Sequence, residues 1–457
     1  MKRTTKLLAL CGVLLALCIA FVAVLGIEQK QEDIRAEEAV ILSLSAEDIQ
    51  SIAWDTDGEG LAFHRDGEGW VYDDDAAFSV STDAMEKLLA NFDALSSAFV
   101  IENVENYGDY GLDDPQTTIT LTTAAATHTL HLGDFSAMDQ QRYLDMDDGK
   151  VYLMQEDPLD YVDLTLGDLL AHDDSPTFPT VQSITLSGAE NYTILCDPEN
   201  GSTVTDDIYF AQRNGKLQVL NDEYVTDLLN TLTLLELSDY VTYSASVNDL
   251  AACGLDDPAL TLTVSYLDGE DAQQTFTVHI GLDAEDVAAA AKDEEVEIAK
   301  YVRVGDSSII YTLDAADYEV LEACGYDDLR YKEVLLADFA VVTAVDVTLE
   351  GEKHSFTADG EDDERVWLLD GEEVDFAGAE AALTALTADS FTDDDPTGKE
   401  EISLTVYLDN EDFPQIEIAL YRHDGQLCLA QVDGESVSLV SRSDVMELVE
   451  AIQMLVL

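Results

Sequence analysis

The first side chains to weigh for proton transfer or metal binding are seven histidines: His64, His128, His131, His172, His279, His354 and His423. A metal pair needs two imidazoles on one side of one element. His128 and His131 lie in the alternating run "THTLHLG", and three residues along a strand is an odd step that sends them to opposite faces. They read as structural histidines. Three acidic loops offer oxygen ligands instead: "DTDGEG" (Asp55 to Gly60), "DMDDGK" (Asp145 to Lys150) and "DGEDDE" (Asp359 to Glu364). Hard cations such as calcium take such ligands. None of the three has the EF-hand spacing with its distant glutamate, so they read as hairpin turns. Weak calcium binding by charge density alone stays open, and no metal or cofactor residue is assigned.

Nucleophiles give no stronger signal. The chain has no G-x-S-x-G, no H-E-x-x-H and no G-x-x-x-x-G-K phosphate loop. Cys11 and Cys18 lie in an apolar N-terminal run. Cys196, Cys253, Cys324 and Cys428 are far apart, with neither C-x-x-C nor zinc spacing, so two bridges or four buried thiols fit equally. With 96 acidic residues, a pair of carboxylates carries no information. No catalytic residue is assigned, and the chain is not expected to be an enzyme.

Those acids set the partners. Against 21 basic residues they give a net charge of −75, which repels nucleic acid and anionic headgroups. Disorder does not follow, because 47% of residues are hydrophobic and fall in periodic runs between the acids. The N-terminus places Lys2, Arg3 and Lys6 before an uncharged stretch from Leu7 to Ile27, about the 20 residues that span a bilayer. A cleaved signal peptide usually has a shorter apolar region and a small-x-small site, which "AVLG" resembles weakly. The expectation is an uncleaved signal anchor in the cell membrane. The N-terminus is cytoplasmic by the positive-inside rule, and everything after Ile27 is extracytoplasmic.

The elements beyond the anchor repeat. "IQSIAW" (Ile49 to Trp54), "VQSITL" (Val181 to Leu186) and "AVDVTL" (Ala344 to Leu349) alternate as half-buried strands do. Each precedes a hairpin signal with Asp-Gly or Asn-Gly, then a helix. The first helix shows Met85, Leu88, Leu89, Phe92 and Leu95 on one face, with Asp83 and Glu86 as its capping pair. The second shows Val225, Leu228, Leu229, Leu232 and Leu235, with Asn221 as N-cap. The third is weaker, with Leu383 and Leu386. Then "YGLDDP" (Tyr110 to Pro115) recurs as "CGLDDP" (Cys253 to Pro258). It reads as an Asx-type turn delivering the chain into "TTITLTT" and "ALTLTVSY". Ile119 then matches Leu262, and His131 in "TLHLG" matches His279 in "TVHIG". The third copy keeps "DDDP" (Asp393 to Pro396) without Gly-Leu. Helical connectors are expected near "LDYVDLTLGDLLA" and "AADYEVLEACG".

The predicted fold class is therefore α+β: an N-terminal transmembrane helix followed by three repeated modules of antiparallel β-sheet, each with a covering helix. The boundaries are 1–27 for the cytoplasmic tip and anchor, 28–45 for a polar helical stalk, and 46–178, 179–335 and a divergent 336–457 for the modules. The anchor, the W-V-Y hairpin (Trp70 to Tyr72), "YGLDDP" and "TLHLG" together resemble the bacterial family called domain of unknown function 4340 over nearly all of the outer part. The resemblance implies a single-pass membrane protein with tandem copies of the domain. It also implies likeness to auxiliary components of gliding-motility-type ABC exporters. The family supplies no catalytic residues. The expected function is a non-enzymatic extracytoplasmic accessory protein, partnered by an ABC transporter permease or a cell-envelope protein. The alternative is a stand-alone envelope or adhesion protein binding cations or wall polymer through its acidic surface.

Overall fold

Three alternating runs become three central strands: Ile49–Thr56, Thr180–Gly188 and Val342–Leu349. Each buries the same positions: Ile49, Ile52 and Trp54; Val181, Ile184 and Leu186; Val342, Val345 and Val347. The step from the first to the second of these is three residues, not two. A β-bulge accounts for it, at Gln50, Gln182 and Thr343, where the register with the neighbouring strand shifts in all three copies. One extra residue there restores the apolar side to the core and sharpens the local twist.

The computed structural model describes residues 39–456 apart from 57, 68, 202–203, 214, 293–295 and 361–364. The expected anchor and most of the expected stalk lie outside the described residues. The stalk's end does not continue as a helix: Ala39–Leu42 is a strand paired with Leu95–Ile101. Val40 and Ile41 are β-branched and suit that edge. Among the described residues no helix is long and apolar enough to cross a membrane.

The chain divides into two compact units. One ends at Asp173 and also takes Thr242–Ser244; the other holds the remainder. The first unit carries one nine-stranded antiparallel sheet and the second carries two. In every sheet the central strand pairs on one side with its hairpin partner: Glu59–Asp66, Asn191–Cys196 or Glu352–Asp359. On the other side it pairs with a strand from beyond the helix: Thr117–Thr123, Leu260–Leu267 or Glu400–Leu408. The strand directly after the helix (Leu95–Ile101, Tyr240–Thr242 or Ala388–Phe391) crosses to the far side of its sheet. The outermost strands are short: Ala39–Leu42 and Gly69–Tyr72, Lys216–Val219 and Tyr240–Thr242, Glu372–Val374 and Ala388–Phe391.

The covering helices are Thr82–Ala90, Asp222–Thr233 and Ala377–Thr384. The first buries Met85, Leu88 and Leu89, and the second buries Val225, Leu228, Leu229 and Leu232. Asn221 caps the second as expected, accepting from the Glu223 and Tyr224 amides. The first begins earlier than expected. Ser81, not Asp83, is its N-cap and accepts from the Ala84 amide at 3.3 Å, which leaves Asp83 in the first turn against the helix dipole. The third starts at Phe376, whose own side chain makes no cap bond, and Asp375 accepts from the Ala377 amide at 3.3 Å. The connectors are helical at Leu159–Val162, Gly167–Leu169 and Ala315–Glu322. An additional helix, Arg442–Val456, buries Val445, Leu448, Val449 and Ile452 against the third core.

The recurring six-residue motif is a helix C-cap rather than an Asx-type turn. Gly111 and Gly254 take φ values of 68° and 65°, a region open to glycine at little cost. The Leu255 amide reaches back to the Leu250 carbonyl and Gly254 to Ala251, the bond pair of a Schellman motif. Leu112 and Leu255 then plug into the core. The chain beyond lies against a second glycine in "TLHLG" or "TVHIG". A Cβ on Gly133 would sit 2.2 Å from the Tyr110 carbonyl oxygen, and one on Gly281 would sit 2.1 Å from that of Cys253. The two motifs recur together because they touch. In the third sheet the position of Gly281 is Tyr421, and no Gly-Leu cap precedes the strand. The close approach is instead made by Gly398, ahead of the strand, where a Cβ would run into the Arg422 carbonyl oxygen. Its "DDDP" also lies eight residues before Leu404, against four from Pro258 to the equivalent Leu262.

Candidate functional site

The helices cover one face of each sheet, and on the other face the middle strands of the second sheet present half-buried or exposed residues. In the second sheet the residues pointing that way on three adjacent strands form a grid. Its rows are Ser183, Ser265 and Thr275; Thr185, Thr263 and Thr277; and Ser187, Thr261 and His279. All nine are half-buried or exposed. The Thr263 and Thr277 hydroxyls bond across the strands at 3.1 Å. None of the nine is acidic, in a chain with 96 acids. The matching rows of the first sheet are Ser51, Thr122 and Thr127; Ala53, Thr120 and Thr129; and Asp55, Thr118 and His131. The third sheet is more mixed, with Asp346 and Glu417 on its grid. The signal was present in the outward letters of "TLTVSY", which the alternation assigned to solvent. A hydroxyl grid can donate and accept hydrogen bonds without charge, and it suits docking against another polar surface.

The matched histidines occupy equivalent places. The Thr118 hydroxyl bonds His131 Nδ1 at 3.3 Å, and the Thr261 hydroxyl bonds His279 Nδ1 at 3.0 Å. His131 Nε2 also donates to Asp147 at 3.3 Å. His128 stands across from buried Leu121, on the opposite side of the sheet from His131. Burial, then the neighbouring Arg303, lowers the His279 imidazole from its ordinary value. The fold therefore favours the neutral ring. Its contribution to stability is complete above the ordinary value of 6.5 and declines as pH falls through it. His279→Gln is expected to lose less stability than the parent between pH 7.5 and 5.5, read by denaturant midpoints.

The acidic loops use their carboxylates locally. Asp55 accepts from the Gly58 amide at 3.0 Å. Asp145 accepts from Asp147, and Asp148 from both the Lys150 amide and the Tyr152 hydroxyl. Burial, then Asp148, pushes the Tyr152 hydroxyl up to about 12. Most of the third loop lies outside the described residues. No group of three or more His, Cys, Asp or Glu placed to hold a metal ion occurs among the described residues.

Cys196, Cys253, Cys324 and Cys428 are free thiols, the last three buried. Burial raises all four, Cys324 to about 12 and Cys428 to about 11. They are protonated at neutral pH and poor nucleophiles. The scarce arginines brace backbone. Arg142 joins Asp157 at 2.7 Å and the Gly133 carbonyl at 2.8 Å. Arg65 lies over Trp70 and donates to the Ile49 and Ala46 carbonyls.

A family model described as Domain of unknown function (DUF4340) matches the chain twice, over residues 70–258 and 211–405. Each match runs from the strand after the first hairpin, Gly69–Tyr72 or Tyr209–Arg213, into the next sheet, so the family's unit is offset from the sheet's own boundaries. Residues before 70 and after 405 lie outside both matches, a narrower coverage than the sequence resemblance implied. Neither a curated protein nor a solved structure matches.

Proposed function

The chain belongs to the DUF4340 family, and from that premise we propose that it is a non-catalytic, membrane-anchored accessory protein. Its three sheets stand on the outer side of the membrane and dock a partner through their faces away from the helices. The partner is the permease of an ABC transport system of the gliding-motility type. The observation that carries the docking part is the hydroxyl grid, clear of acids in the second sheet and repeated with one acid in the first. Acids excluded from one face of so acidic a chain mark that face for contact. The anchor rests on the apolar run from Leu7 to Ile27. The transporter rests on family analogy.

The test is a crosslinked, mild-detergent pull-down of the full chain from its native membrane, read by mass spectrometry. An ABC ATPase and permease should be recovered in near-equal amounts. Recovery of the chain alone overturns the transporter partner. A second reading, cation or wall-polymer binding by an envelope protein, draws on the carboxylate density of loops such as Asp145 to Lys150. Millimolar calcium at constant ionic strength separates the two. Site binding raises Tm in proportion to the logarithm of concentration, whereas the accessory reading expects a shift of under about 2 °C.

A further inference from the structure

At the bulged end of the second sheet a cleft of about 940 Å³ opens between Phe178, Val181, Cys196, Tyr209 and the helix residue Leu229. An arginine stands at the equivalent place in each of the other two sheets, and in the third a cleft of about 1300 Å³ stays open beside it, between Phe339, Val342, Trp367 and Phe376. In the first sheet the Arg65 guanidinium lies 4.8 Å from the Trp70 ring and donates to the carbonyls of Ile49 (2.9 Å) and Ala46 (3.0 Å). In the third sheet the Arg365 guanidinium lies 5.2 Å from the Trp367 ring. It donates to the carbonyls of Val342, Phe339 (2.9 Å) and Ala340 (3.0 Å).

Strand register makes these the same site. Ile49 and Val342 both precede the bulge residue, and Ala46 and Phe339 lie three residues before them. Trp70 pairs with Arg65, and Trp367 with Ala358, at the same rung. Arg365 therefore comes from a different point in the chain, on the turn between strands, and reaches the same two carbonyls and the same ring. Two independent arginines converging on one geometry identify what the geometry recognises.

The second sheet keeps the receptor and lacks the ligand. Its carbonyls are those of Val181 and Phe178, and its ring is Tyr209, paired with Cys196. Cys196 stands where Arg65 does. Asp207 stands where Arg365 does, and Tyr331 holds it by a 2.6 Å hydrogen bond. The Asp222 carboxylate accepts from the Ile208 and Tyr209 amides, which sets a negative charge beside the backbone that carries the ring. A planar guanidinium suits such a place better than an ammonium, because it stacks on a ring while donating in a fork.

We propose that the cleft beside Tyr209 is a receptor for an arginine side chain of a partner polypeptide, which takes the place that Arg65 and Arg365 hold in the sister sheets. The assignment rests on the equivalence of the sheets and stands whether or not the partner is a transporter.

The probe is a capped Gly-Gly-Arg-Gly-Gly peptide titrated into the full chain, followed by NMR of Tyr209, Val181 and Leu229. The same peptide with lysine or citrulline is the control. The arginine peptide should perturb these residues saturably and bind about tenfold more tightly than the citrulline form. Cys196→Arg supplies the missing side chain in place and should abolish binding while raising Tm. Tyr209→Leu keeps an apolar wall without the ring and should weaken binding about tenfold, which covers the case in which Cys196→Arg fails to fold. Equal binding of the citrulline peptide, no perturbation at the three residues, or full binding by both variants overturns the proposal.

Discussion

Gly281→Ala is expected to destabilise the protein by about 4 kcal/mol, at the upper end of what single substitutions do. One methyl has this effect because its place is occupied. The new Cβ would lie 2.1 Å from the Cys253 carbonyl oxygen and 2.9 Å from the Gly254 carbonyl carbon, both backbone atoms that no rotamer change can move aside. Either the cap that ends Val247–Ala252 must shift, drawing Leu255 out of the core, or the strand must leave its register with Leu260–Leu267. Gly133→Ala should behave alike, at 2.2 Å from the Tyr110 carbonyl. The control is Gly269→Ala, where a Cβ meets nothing within 4 Å and a change of under about 0.5 kcal/mol is expected. Urea midpoints for the three variants decide it. A small effect at Gly281 would mean that the cap and strand are not in contact.

Phe376→Ala should cost about 4 kcal/mol, by the usual range for emptying a buried aromatic site. Phe376 is 2% exposed. Its ring stacks on Trp367 at 4.4 Å and lies 5.0 Å from Phe356 and 6.3 Å from Phe339. It also occupies the N-cap position of Ala377–Thr384, where the polar cap is reduced to one 3.3 Å bond from the Ala377 amide to the Asp375 carboxylate. The third helix is therefore positioned by an aromatic cluster, whereas the second is positioned by Asn221. Asn221→Ala should cost only about 1 kcal/mol. Near-equal losses for the two variants, measured by thermal unfolding, would contradict this division of roles.

These contrasts show which features a linear reading reaches. The central strands, the covering helices and the match of His131 to His279 were legible because each rests on a short local period. The first helix was read two residues late because Asp83 and Glu86 imitate a capping pair, while Ser81 makes the bond. The last helix went unread although Val445, Leu448, Val449 and Ile452 carry its spacing. The six-residue motif was recognised as a shaped turn. Its dependence on Gly133 and Gly281 required two segments more than 20 residues apart to meet. The arginine receptor was hidden more deeply, because Arg65 and Arg365 occupy different positions in their repeats and only the folded sheet superposes them. The crossing of the strand after each helix to the far edge is likewise a property of topology, with no local letter to announce it.

The short outermost strands bear on how such a chain avoids aggregation. A nine-stranded antiparallel sheet offers two open edges, and the row of unpaired amides and carbonyls on an edge can template fibril growth from chain to chain. Here all six edges are strands of only three or four residues, a footing on which an incoming strand gains few bonds. The net charge of −75 adds repulsion between copies before any edge can meet another. Three wide sheets in one polypeptide are thereby kept from polymerising with their copies.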